Sequence, residues 1–141
     1  SDFDLDDRTR GAGGAARAST VHSNKERDMT RYLISFDDGS MDHIADEDFP
    51  AVGEAAHEVL RAAKAAGVWV TGGGLERQQA SIVGTDGVAV DGPYPETKAV
   101  VGGFSIIDVP TREDALAWAA LFAAACRCAQ EVREIMHDPE A

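Results

Sequence analysis

Three observations in the sequence predict an α+β domain. Its apolar segments run strand, helix, strand, hairpin, strand, helix, strand. The two helices have similar lengths and each follows a strand. Apolar residues fall on both faces of the first strand, Tyr32, Ile34 and Phe36 on one side and Leu33 on the other. A βαβ–hairpin–βαβ order builds an antiparallel sheet with both helices on one face, the ferredoxin-like arrangement. One face of that sheet is then left bare by its own chain. A second copy's sheet is the economical cover, which predicts a homodimer closing a shared α/β barrel.

The elements follow in order. Residues 30–36, "TRYLISF", are β-branched and aromatic and end in the turn signal "DDGS". Residues 46–67 read as a helix: Asp48 is placed to cap it, Pro50 suits its first turn and Gly67 ends it. Val52, Ala56, Val59, Leu60 and Ala63 make its apolar stripe, with Glu54, Glu58 and Arg61 opposite. "VWVT" (68–71) is a strand that Gly72, Gly73 and Gly74 are expected to stop. "QASIV" (79–83), "GTDG" (84–87) and "VAV" (88–90) form a hairpin. "GGFSIIDV" (102–109) is the strongest strand. Thr111 and Asp114 form a capping box for a helix reaching about Ala125. That helix is apolar almost all round beyond its first turn, so more than one surface is expected to bury it. "EVREIM" (131–136) is the last strand.

The chain of 141 residues is the size of one domain, and 44% hydrophobic residues suffice for a core. Residues 1–28 differ from the rest, with 6 acids, 5 bases and little large apolar surface after Leu5. They are expected to be a flexible N-terminal extension or an artificial addition to the chain, and the folded domain to occupy 29–141. That domain carries 19 acids and 8 bases, so nearly all of the chain's net charge of −12 belongs to it. Such a field repels phosphate backbones and anionic membrane surfaces, which argues against both as partners. No apolar run approaches the roughly 20 residues that cross a bilayer. Two closely spaced cysteines, Cys126 and Cys128, are poor staples for a fold, and a reducing cytoplasmic setting is expected.

The stretch "DGPYPETKAVVGGFSIIDVPTREDALAWA", starting at Asp91, resembles the signature of the YCII-related family. It is closest to the subgroup named for its Asp-Gly-Pro-Phe motif, with Tyr94 in place of the phenylalanine. The resemblance runs from about Met29 to the final strand. It implies a dimeric α/β barrel of ferredoxin-like protomers. Most members have no assigned role. Relatives are linked to small-molecule chemistry, including removal of chloride from a chlorinated hydroquinone, and a His/Asp pair has been proposed as catalytic in some. Genes of the subgroup tend to lie near those of extracytoplasmic-function sigma factors, a regulatory context. The family's histidine position, eleven residues before the helix-ending glycine, falls on Ala56, and His57 is the next residue. One helical step turns a side chain by about 100°, which puts His57 at the flank of the stripe.

The residue chemistry points to two function classes. Asp91-Gly92-Pro93 is turn chemistry, and a carboxylate there can also rim a pocket as a general base. An enzyme would use Asp91 and His57 for proton transfer, with Tyr32, Tyr94 and Phe104 as walls of a pocket between sheet and helices. Lys98 would neutralise a substrate anion. Elimination or isomerisation needs no more than that, and no cofactor motif is visible. The alternative is a non-catalytic dimeric module that binds a ligand or protein in regulation. Asp42, His43, Asp46 and Asp48 have no metal-cage spacing, so no metal is expected and the loop is read as solvated. Glu96 and Lys98, two apart, read by default as a solvated ion pair.

Overall fold

β1 (Thr30–Asp37) lies at the heart of a four-stranded sheet, as its β-branched and aromatic composition favours. The computed structural model describes residues 28–141 apart from 78, 95, 96 and 98. The expected extension, 1–28, therefore falls outside the described residues except for Asp28. After β1 come a 3-10 turn (Asp46–Asp48), α1 (Phe49–Ala65), β2 (Trp69–Gly74), β3 (Ser81–Val83) and β4 (Ala89–Asp91). β5 (Val101–Val109), α2 (Arg112–Cys126) and β6 (Glu131–Glu134) complete the domain. The main sheet has the order β2-β5-β1-β6, every neighbouring pair antiparallel, and β3 and β4 form a separate two-stranded hairpin. This is α+β with two crossover helices, compatible with the ferredoxin-like topology.

Strand alternation sorts the sheet into two faces. Tyr32 pairs with Ile107 and Ile34 with Ser105, while Leu33 pairs with Ile106 and Ser35 with Phe104. Partners across a ladder share a face. The first set faces the helices: Tyr32, Ile34, Ile107 and Val109 are buried with Val68 and with Ala63, Ala115 and Ala119 of the two helices. The second set, Leu33, Phe104 and Ile106, lies on the opposite face and is half-buried. Thr71 and Gly73, paired with Ile106 and Phe104, extend that face onto β2.

Three local expectations change. The glycines do not stop β2, because they continue it to Gly74. A Cβ on Gly72 would sit 2.5 Å from the Phe104 carbonyl oxygen and 2.8 Å from the Trp69 ring, so the strand passes there only without a side chain. Asp48 does not cap α1, since its backbone is already helical at φ −90 and it closes the 3-10 turn. The last strand is shorter than 131–136 and ends at Glu134. Other signals behave as expected. Gly67, at φ +77, ends α1, and Thr111 Oγ1 accepts from the Asp114 amide at 3.1 Å. In α2, Ala115, Ala119 and Phe122 are buried while Leu116 and Leu121 remain about half exposed. The described chain thus covers one side of that helix, not all of it.

Candidate functional site

The Asp91 motif is a fixed turn at the end of the hairpin. Asp91 pairs with Ser81, and the next amide, Gly92 N–H, donates to the Ala80 carbonyl at 2.8 Å. The Gln79 side-chain amide donates to the Gly92 carbonyl. Gly92 is buried, and a Cβ there would lie 2.7 Å from the Ile82 side chain. The Gly92–Pro93 bond is cis, and Thr97 N–H closes the following turn on the Tyr94 carbonyl at 2.9 Å. The glycine packs and the proline bends, as turn chemistry requires. The Asp91 carboxylate is exposed and has no hydrogen-bond partner among the described residues. Tyr94 is 60% exposed. Glu96 and Lys98 lie outside the described residues.

The remaining candidates do not gather around it. His57 is exposed on α1, beside the exposed Glu54 and Glu58. Tyr32, expected as a pocket wall, is only 3% exposed and belongs to the core under the helices. Phe104 was expected beside it, between sheet and helices, but it lies on the other face of the sheet. Side chains alternate with period two, and the register Ser35–Phe104 against Tyr32–Ile107 puts a layer of backbone between the two rings. One pocket between sheet and helices cannot be lined by both.

Sequence reasoning missed the charged ties that hold the surrounding loops. Arg77 reaches from the segment after β2 to both Asp38 (2.9 Å) and Asp42 (2.8 Å), pinning the loop that follows β1. These two carboxylates push the Arg77 guanidinium above its ordinary value. Arg127 pairs with Asp48 at 3.5 Å. Two of the four loop residues weighed as metal ligands are thus engaged by arginines, and no three His, Cys, Asp or Glu side chains gather as a metal set among the described residues. On the bare face, Arg31 grips Asp108 through two contacts, Nε to Oδ1 at 2.7 Å and Nη2 to Oδ2 at 2.8 Å. That pairing raises the Arg31 guanidinium in turn. Cross-strand pairs of this kind carry no local signal, since they join residues 77 positions apart.

Comparison with known families decides the kinship: the YCII-related domain matches residues 31–137. The chain belongs to the YCII-related family. The match covers both helices and all six strands apart from Thr30, so the whole described fold carries the family's pattern. Comparison with curated proteins gives no match. No helix among the described residues is long and apolar enough to cross a membrane.

Proposed function

We propose that this YCII-related chain is a cytoplasmic homodimeric module that binds a small organic ligand or a protein in a regulatory setting, and is not itself a catalyst. The observation that carries the reading is the exposure of both members of the acid/base pair. His57 is exposed on α1 and Asp91 is exposed at the end of β4, and no hydrogen bond or ion pair joins them among the described residues. General acid–base catalysis asks for groups within hydrogen-bond reach of one reacting atom, sheltered from water. Family kinship supports the dimer. So does the sheet face away from the helices, where Leu33, Phe104 and Ile106 present half-buried apolar surface. Membership of the Asp-Gly-Pro-Phe subgroup is part of this proposal and rests on Asp91-Gly92-Pro93-Tyr94. In the bound state Asp91 and Tyr94 are contacts at the hairpin lip, Lys98 supplies a charge, and Phe104 belongs to the dimer face.

Sedimentation equilibrium tests the assembly. A mass twice the 14.9 kDa of one chain is expected, and Ile106→Asp should halve it. A thermal-shift screen against phenolic and short-chain acid metabolites tests the lip. A stabilising compound should lose its effect on Asp91→Asn and keep it on His57→Gln. A monomeric native protein would refute the dimer. Turnover of a hit that needs both Asp91 and His57 would restore the enzyme reading, with one group supplied by each protomer.

A further inference from the structure

Cys126 and Cys128 flank a break in the helix. Cys126 is the last residue of α2, and Arg127 adopts the left-handed conformation at φ 57, ψ 36. A non-glycine residue there is uncommon. The amides of Arg127 and Cys128 both turn back to the Ala123 carbonyl, which locks the loop that carries the two thiols. The Arg127 side chain also pairs with Asp48, in the loop before α1, at 3.5 Å.

That conformation fixes how far apart the cysteines sit. The Cα separation across one residue depends on that residue's φ and ψ alone, and the left-handed region mirrors the right-handed one. Cys126 and Cys128 are therefore about 5.4 Å apart at Cα, the i to i+2 spacing of a helix. This lies inside the roughly 4.4–6.8 Å window of disulfides. A continuous helix would turn positions i and i+2 to opposite sides, and here the helix ends at Cys126, with Arg127 left-handed between the two cysteines.

The two sulfurs have different surroundings. Both cysteines are free and half-buried. Cys128 has donors near its sulfur: the Gln130 side-chain amide at 3.6 Å and the Ser40 hydroxyl beside it. Burial and then the neighbouring Cys128 push the Cys126 thiol up. Burial pushes the Cys128 thiol up as well, but there the Ser40 hydroxyl opposes it, whereas no donor opposes the rise at Cys126. Donors favour a thiolate, so Cys128 is assigned as the attacking sulfur and Cys126 as the resolving one.

We propose that Cys126-Arg127-Cys128 is a reversible redox site, closed to an intrachain disulfide by small disulfides such as oxidised glutathione. The Cys128 thiol gives up its proton and its sulfur attacks one sulfur of the oxidant. The donor's S–S bond breaks and one thiol leaves with a proton. Cys126 then loses its proton and attacks the Cys128 sulfur of the mixed disulfide, expelling the second small thiol. Two cysteine thiols are oxidised and one small disulfide is reduced to two thiols, so electrons and protons balance. The site is independent of the proposed ligand lip and dimer face.

The full chain is incubated with excess oxidised glutathione, quenched in acid and measured by intact mass and peptide mapping. The expected product is two hydrogens lighter, carries no glutathione, has lost both titratable thiols and is restored by dithiothreitol. Cys126→Ser and Cys128→Ser should each retain glutathione on the remaining sulfur. A native protein that keeps a glutathione adduct, or links into disulfide dimers, overturns the proposal. So does one whose thiols stay free while the guanidine-unfolded chain reacts. The wild-type mass alone decides the matter should a serine variant fail to fold.

Discussion

Arg31 and Asp108 face each other across the β1–β5 ladder and close a two-contact ion pair, 2.7 and 2.8 Å, on the sheet face away from the helices. Fork-to-carboxylate geometry of this kind is stronger than a single contact, yet both side chains remain partly wet at 45% and 31% exposure. Its worth to the fold is therefore small. Asp108→Asn is expected to lower unfolding free energy by no more than about 1 kcal/mol. If the bare faces meet, the same change leaves Arg31 unpaired beside a partner and weakens association more than folding. Urea denaturation at dilute concentration and sedimentation at high concentration separate the two effects.

Two neighbouring glycines give a sharper contrast. Gly72 points under Trp69, where a Cβ would come within 2.8 Å of the ring and 2.9 Å of the Ser105 Cα. Gly73 points to the bare face and a Cβ there meets nothing within 4 Å. Gly72→Ala is expected to cost roughly 2–3 kcal/mol, the scale of forced overpacking. Gly73→Ala should leave the fold within about 0.5 kcal/mol of wild type, as an unobstructed surface change does. A loss of dimer mass in Gly73→Ala, with its denaturation midpoint unchanged, would place Gly73 under the partner.

The order of elements and the hairpin were legible because periodicity and turn chemistry are local. Thr111 shows this, since its role depends on an amide three residues away. Facing within a strand is also local: alternation along 30–36 already separates Leu33 from Tyr32 and Ile34. The pocket was not legible. Placing Tyr32 and Phe104 together required the β1–β5 pairing, and a slip of one position in that pairing flips every side chain. The glycines of β2 misled for a related reason. Gly-rich sequence ends strands by default, and only the closeness of Trp69 and Phe104 shows why the strand here must have a glycine at 72.

The two helix starts behave differently under mutation. Thr111→Ala removes a side-chain cap that the Asp114 amide uses, and it should cost about 1 kcal/mol. Asp48 makes no capping bond, so Asp48→Ala loses only the 3.5 Å contact with Arg127 and should cost less than about 0.5 kcal/mol. Paired denaturation curves measure both. Equal losses would mean that Asp48 caps α1 after all.

Cys126 makes stability depend on alkaline pH. Burial first, and the Cys128 thiol second, hold its thiol above the ordinary value of 9.0. The folded protein then binds more protons than the unfolded chain once the unfolded thiol begins to ionise, near about pH 8.5. The slope of unfolding free energy with pH is set by protons bound unfolded minus folded, which is negative here. Stability is fully present below the unfolded pKa and is lost as pH rises toward and through the folded one. Below about pH 8 the cysteine contributes no slope. Urea midpoints of the reduced protein should therefore fall more steeply above pH 8.5 than those of Cys126→Ser, with the two curves parallel at lower pH. Tyrosine and lysine titration is common to both proteins and cancels in the difference. Parallel curves throughout would show that this sulfur ionises as freely in the fold as in the open chain.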